Sequence, residues 1–599
     1  MRARGLGLFV VLLCLSLSAW AVKPADVRTI IDISGSMKKN DPKNLRKPAL
    51  RLLVSLMPND TRAGVWTFGQ YVNMAAKWGK VNDAWKAEAL KAADSINSRG
   101  LYTNIEAALR RATKGWEKPD RRYRRHLVLL TDGFVDIGKD PAVNAESRRR
   151  ILQEILPRLE ASDVTIHSIA LSKNVDFELL YALSGATDGW YERVDDSAQL
   201  PRVFLRIFEN AVMPDALPLR NNRFKVDKSV SDVTVLLFRK DSKSTTTLIS
   251  PDKKSMTATS HPDFVTWQHE QNYDLINIKQ PVTGEWNIKA DVDPDNRVLV
   301  VTNLQLAVDK LPTNLMIGDR FEVRARLQEN NKTIVREDLL KLLQFETTLK
   351  VADSKAEKLV MLDDGKGADV LAEDGVYSAS VSALSKPGKY EVVVRVGGGV
   401  VEREYRHTMN VYDTAANIEI IAGDDGFEFH IIPYAGLLRT ESVSMQIRLP
   451  DGKVLNLQQL DENTWVAKVP KSYAGKTAQI MLTGTRYNNQ SLTQEFEEKI
   501  AATHGKLPLK LASLKKEADK KIEKTPSVPP SHVTDKKPEK KKAISHSPAV
   551  KKKSFNWTRV LILIAIINAV LVIAGGAGYF FWKKRKVTQL AEEDKDMAL

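Results

Sequence analysis

Between residue 27 and about residue 213, short apolar runs alternate with segments in which apolar residues return every three or four positions. That alternation is the signature of strands interleaved with amphipathic helices. The runs at 27–31, 62–68, 126–130, 165–170 and 190–194 predict strands, and helices are predicted over 45–56, 84–96, 105–116, 147–159, 177–183 and 200–211. Such an order predicts a parallel, doubly wound α/β sheet covered on both faces. After Pro214 the helical period nearly disappears, and β-branched or alternating runs such as 233–238, 321–327, 390–396 and 443–449 are separated by turn pairs. Three successive β-sandwiches are expected, at 215–303, 304–413 and 414–503.

The two ends of the chain read differently. Arg2 and Arg4 precede an apolar stretch at 6–17, and Ala19-Trp20-Ala21 offers a small-x-small cleavage site, so residues 1–21 are expected to be a secretory signal peptide. The single cysteine, Cys14, falls inside it. An exported chain without cysteine relies on hydrophobic cores rather than disulfides, which suits a bacterial envelope. Residues 560–582 form an apolar run of about the ~20 residues a bilayer requires, flanked by Trp557, Tyr579, Phe580 and Trp582 and followed by Lys583-Lys584-Arg585-Lys586. One inner-membrane crossing is expected, with the large domain in the periplasm and residues 583–599 as a cytoplasmic tail. Asn568, Gly575, Gly576 and Gly578 leave room for self-association through this helix.

Charge changes the picture less than its total suggests. The formal net charge of +16 is concentrated in residues 506–553, where fifteen Lys face five acidic residues. With Pro526, Pro529, Pro530, Pro538 and Pro548 in the same stretch, residues 504–556 read as a disordered linker. The folded part is then near neutral, which argues against a nucleic-acid surface. Arg121, Arg122, Arg124 and Arg125 precede a strand and are expected on a solvated face at the end of the sheet away from the strand C-termini.

Those C-termini carry the chemistry. Asp32-Ile33-Ser34-Gly35-Ser36 follows the first strand, and a Gly permitting a tight bend there would turn a carboxylate and two hydroxyls toward one point. Thr103 adds a hydroxyl from a second loop, and Thr131-Asp132-Gly133 adds a carboxylate after a third strand. Ligands of open α/β sheets bind outside these strand ends.

The order D-x-S-x-S, Thr, T-D-G resembles the von Willebrand factor A family, with its metal-ion-dependent adhesion site (MIDAS). The resemblance implies that Ser34, Ser36 and Thr103 coordinate an ion directly and that Asp32 and Asp132 act directly or through water. Mg²⁺ is expected, with Mn²⁺ or Ca²⁺ as alternatives. It also implies an edge strand at 71–78. Thr283-Gly284-Glu285-Trp286 and the Asp363–Asp374 region, followed by Gly375-Val376-Tyr377-Ser378 and Gly388-Lys389-Tyr390, resemble the β-rich region of calcium-activated chloride channel regulator proteins. Those relatives carry a zinc protease, but no H-E-x-x-H occurs here, so that activity is not carried over. The Asp363–Asp374 loop suits Ca²⁺, although Asp-Gly pairs are also ordinary hairpin chemistry and that reading is preferred.

No nucleophile elbow, Walker A sequence or paired-histidine metal spacing is present, and His167 reads as a packed core residue. Taken together the chain resembles bacterial inner-membrane-anchored A-domain proteins. It is expected to be a non-enzymatic docking module that captures an acidic side chain of a protein partner through its metal. The alternative is an assembly or chaperone-like factor for envelope complexes whose metal site regulates docking.

Overall fold

The computed structural model describes residues 23–502, apart from 173–174, 241–243, 353, 400, 424, 435, 440–441, 462–463 and 487–489. Strands β1 (Ala25–Asp32), β2 (Arg62–Phe68), β3 (Val72–Lys80), β4 (Arg124–Thr131), β5 (Val164–Ala170) and β6 (Tyr191–Arg193) form one sheet in the order β3-β2-β1-β4-β5-β6. All neighbours pair in parallel except β3, which is antiparallel to β2 at the edge. Successive strand residues face opposite sides. Ile31 accordingly enters a core with Leu50, Leu53, Phe204 and Phe208, while Ile30 enters a second core with Leu109, Ile151 and Leu180. Both faces of β1 are thus covered, and all eight of its residues are buried.

Local chemistry starts and bends the helices. The Asn104 side chain accepts the Ala107 N–H at 2.9 Å and caps the Ile105–Ala112 helix. The helix expected at 147–159 instead begins at Pro141, where Asp140 caps and Pro takes the first turn. It then widens into a π turn at Ile151–Ile155 before Leu156–Ala161. Pro157 has no N–H to continue the i→i−4 ladder, which accounts for the wider turn.

The β-rich part consists of three successive pairs of sheets, over 223–302, 304–412 and 416–499. The first closes over Phe224, Leu237, Ile276 and Trp286, the second over Phe345, Val394 and Tyr405, and the third over Phe429, Ile447 and Ile480. The first pair shares a core with the α/β domain, since Leu236, Phe238, Tyr273 and Leu275 pack with Phe204 and Phe208 of the Leu200–Val212 helix. Arg297 donates to Glu209 across this seam at 2.6 Å, with both side chains buried. Ala216 bridges to both Leu299 and Glu404, so the connecting segment is itself pinned. Arg403, fully buried, donates to Asp227 at 2.6 Å and ties the first and second β pairs together. These contacts hold the α/β domain firmly while every residue lining its cleft belongs to that domain alone.

One expectation is corrected. Arg125 is buried rather than solvated, as it donates to the Lys118 carbonyl and lies 5.6 Å over the Trp116 ring, while Arg124 donates to the Lys23 and Val212 carbonyls. Only Arg121 and Arg122 of the four are exposed. Among the described residues, no helix is long and apolar enough to cross a membrane. The signal peptide expected at 1–21, the linker at 504–556, the span at 560–582 and the tail at 583–599 lie outside the described residues.

Candidate metal centre

The site is built where β1 and β4 end. Asp32 closes β1 and is wholly buried; its Oδ1 accepts the Ser34 N–H at 2.7 Å and its Oδ2 the Thr131 hydroxyl at 2.6 Å. Beyond it the chain folds back so that the Ser34 and Ser36 hydroxyls lie 3.0 Å apart. Ser36 Oγ donates to Asp132 Oδ1 at 2.8 Å, and Asn40 Nδ2 donates to Asp132 Oδ2 at 2.8 Å. Thr103 is held from the side, exchanging two backbone hydrogen bonds with Asp136 at 2.7 and 3.1 Å. Ser34, Ser36, Thr103 and Asp132 all line one open cleft of about 830 Å³, with Asp32 beneath it.

Burial and then the neighbouring Asp132 charge push the Asp32 carboxyl up to about 6, and burial also pushes Asp132 up. A divalent ion beside these carboxylates would favour their charged forms.

The donor set fits such an ion. Ligand bonds near 2.1 Å in octahedral geometry place adjacent oxygens about 3.0 Å apart. The Ser34–Ser36 and Ser36–Asp132 separations of 3.0 and 2.8 Å are edges of that size. Among the described residues the Thr103 hydroxyl has no hydrogen-bond partner, although the residue is buried to 5 % exposure at the cleft wall. All five residues singled out from the sequence are therefore neighbours, four on the cleft and Asp32 as its floor.

The role expected of Gly35 falls elsewhere. Its backbone is not left-handed, and a Cβ there would stand 3.7 Å from the Gly100 oxygen, an ordinary contact. Gly100 is the glycine that matters, because a Cβ on it would lie 2.8 Å from the Ile33 carbonyl oxygen. That close approach lets the Gly100 N–H donate to Ile33 at 2.8 Å and locks the Thr103 loop against the Asp32 loop.

Sequence reasoning missed two supporting residues. Arg46, with no exposed surface, donates to Asp41 at 2.8 Å, to the Asp32 carbonyl at 2.5 Å and to Ser98 Oγ at 2.7 Å, strapping three loops together under the site. Asn40 ends the short Met37–Asn40 helix and orients Asp132. A four-residue helix has no periodicity to detect, and nothing local marks Arg46 as buried. His167, packed as expected, is 2 % exposed and lies 3.2 Å from His126.

Comparison with known proteins assigns families to three stretches of the chain. Residues 26–206 match the model for the von Willebrand factor type A domain, residues 211–303 that for the hemicentin galactose-binding domain-like family, and residues 309–413 that for the conditioned medium factor second Ig-like domain. Calcium-activated chloride channel regulator 1 of Equus caballus is 24% identical over 403 residues, covering 62% of this chain and 41% of that protein. The Mus musculus protein of the same name is 23% identical over 418 residues, covering 63% and 41%. A von Willebrand factor A domain-containing protein of Dictyostelium discoideum is 25% identical over 186 residues, 31% of this chain and 21% of its own length. The chain thus spans about two fifths of the regulator proteins it resembles.

Among solved structures, a von Willebrand factor type A protein from Catenulispora acidiphila aligns with TM-score 0.27 and 16% identity over 51% of this chain and 62% of that one. Proximal thread matrix protein 1 of the mussel byssus, in a form with a zinc-occupied MIDAS motif, aligns with TM-score 0.26 and 19% identity over 33% and 50%. The chain contains a von Willebrand factor A domain, a class of module that generally mediates adhesion and protein interaction.

Proposed function

We propose that the von Willebrand factor A domain of this chain is a metal-dependent docking site for a protein partner. Ser34, Ser36, Thr103 and Asp132 hold a divalent cation, Mg²⁺ in the first instance, and Asp32 supports it from below. The bound cation supplies an electrophilic position that an acidic side chain of the partner completes. The reading rests above all on one observation, a Thr103 hydroxyl without a hydrogen-bond partner among the described residues, lining the same open cleft as the 3.0 and 2.8 Å oxygen edges of Ser34, Ser36 and Asp132.

The chain's own residues account for orientation. Arg46 fixes the Asp32 loop, Asn40 fixes Asp132, and the Gly100–Ile33 contact fixes Thr103. The cleft's hydroxyls and the Asp132 carboxylate are assigned to the cation, so the proposal is binding without turnover. The apolar segment at 560–582 and the leader-like segment at 1–21 support placing this site outside a bacterial inner membrane on a single anchor.

The test is a photo-crosslinking residue at Lys39, on the cleft rim, in cells. Mg²⁺-dependent crosslinks to one partner, lost with EDTA and in Asp132→Ala, are expected. Crosslinks indifferent to both treatments would move the function to the β-rich domains and to the assembly reading.

A further inference from the structure

The mouth of the cleft has two unlike sides. Strand order puts the β2–β3 turn on one side of Asp32 and the ends of β5 and β6 on the other, where Ser172 and Asp195 line the cleft. On the β2–β3 side two large apolar side chains stand in solvent, Tyr71 at 72 % exposure and Leu101 at 68 %.

Backbone contacts join these two positions. Gly69 packs so tightly on the neighbouring loop that a Cβ there would lie 3.2 Å from Gly100 Cα and 3.1 Å from the Leu101 oxygen. Its N–H donates to the Tyr71 carbonyl at 3.2 Å, and its carbonyl accepts from Asn104 at 3.0 Å. Between Leu101 and Thr103 the backbone of Tyr102 is left-handed at φ 59°, a conformation side chains rarely adopt without a reason in the surrounding structure. Across that bend Thr103 is buried at the cleft wall while Leu101 is exposed. A lone exposed Leu is unremarkable. Two large apolar groups on interlocked loops, one of them two residues from a candidate metal ligand, form a built shoulder.

Unpaired basic side chains stand beside this rim, although Asp136 also lines the cleft next to Thr103. Lys38, Lys39 and Arg99 are exposed and belong to no salt bridge among the described residues, and Lys39 lines the cleft. An acidic partner segment would be drawn here, with its apolar residues meeting the shoulder.

We propose that Tyr71 and Leu101 form the specificity element of the site, so that the partner is a protein segment in which the metal-seeking Asp or Glu is directly neighboured by a large apolar side chain. This rests on the docking reading above. The acidic side chain enters toward Ser36 and Thr103, and its apolar neighbour covers Tyr71 and Leu101.

The test uses the full-length chain in detergent and labelled peptides with a central Glu whose neighbour is Leu, Phe or Ser, titrated with Mg²⁺ or with EDTA. The Leu and Phe peptides are expected to bind at least tenfold more tightly than the Ser peptide, with Mg²⁺ required. In the double variant Tyr71→Ser/Leu101→Ser all three should bind alike, whereas Tyr71→Phe/Leu101→Met should restore the preference. Both positions are on the surface, and circular dichroism checks that the fold is kept. Mg²⁺-dependent binding without preference overturns this proposal and leaves the docking reading standing. Absence of Mg²⁺-dependent binding to every peptide overturns both. Capture of anionic vesicles by the shoulder in place of peptides would reassign it to a membrane.

Discussion

Asp32 and Asp132 in the α/β domain, and Asp363, Asp369 and Asp374 in the second pair of β-sheets, are two gatherings of carboxylates that the fold treats differently. The second group brings three carboxylate oxygens within 4.8 Å of one another. Its oxygens are engaged by its own turns: Asp363 accepts the Asp374 and Gly375 N–H groups at 3.3 and 2.8 Å, Asp369 accepts the Gly365 N–H at 2.6 Å, and Asp374 accepts the Val376 N–H at 2.9 Å. Gly365, Gly367 and Gly375 all have positive φ, so the loop needs both its glycines and its carboxylates to hold its shape. In the first group only Asp32 is bonded to the backbone of its own loop, while Asp132 is held by the Ser36 and Asn40 side chains and, with the hydroxyls, lines a cleft. Carboxylate number does not separate the two groups. What differs is whether the oxygens are tied to the backbone of their own turns or held by side chains at the wall of a cleft.

The largest expected effect would break the comparison outright. Asp132→Ala should weaken Mn²⁺ binding, followed by electron paramagnetic resonance, at least a hundredfold, while Asp363→Ala should leave it within about twofold. Equal losses would mean that both groups bind metal. For stability the ranking should invert. Asp363→Ala removes two charge-assisted backbone hydrogen bonds and should cost about 2 kcal/mol in urea denaturation, whereas Asp132→Ala in EDTA loses the Ser36 and Asn40 hydrogen bonds but relieves repulsion with Asp32, and should cost less than about 1 kcal/mol.

A lone carboxylate separates burial from mutual repulsion. Burial pushes Asp215 up to about 7, while the Leu306 N–H at 3.1 Å and the Arg403 charge oppose that shift. An unfolded Asp releases its proton near pH 4. Between roughly pH 4 and pH 7 the folded chain therefore holds a proton that the unfolded chain has lost, and stability should fall as pH rises through that window. Asp215→Asn should flatten the slope, recovering about 2 kcal/mol at pH 8; an unaltered slope would place the proton elsewhere. The smallest effect sharpens the metal site itself. Thr103→Val should lower Mn²⁺ affinity about tenfold with no loss of melting temperature, because the hydroxyl has no partner to abandon.

Much of this was legible from local pattern. The alternation over 27–213 predicted the parallel sheet, because strand and helix periods are properties of neighbouring residues. Asp32, Ser34, Ser36, Thr103 and Asp132 were visible because each follows or adjoins a recognisable strand or helix start. Asn40 and Arg46 were not, because their roles exist only when loops from distant parts of the chain meet. Gly35 and Arg125 misled for the same reason. A glycine's need depends on what its missing Cβ would strike, and an arginine's exposure depends on whether Trp116 and the Lys118 carbonyl are there to receive it.

The sequence by itself determined the order of elements, the donor types and their attachment to strand ends, all consequences of short-range periodicity and residue chemistry. Tertiary structure alone decided which oxygens remain free, which carboxylates are driven up by burial, and which apolar groups stay in solvent beside them. Those properties depend on packing between segments some 30 to 100 residues apart, as Arg46 with Ser98 and Ser36 with Asp132 illustrate, and no local pattern carries that information.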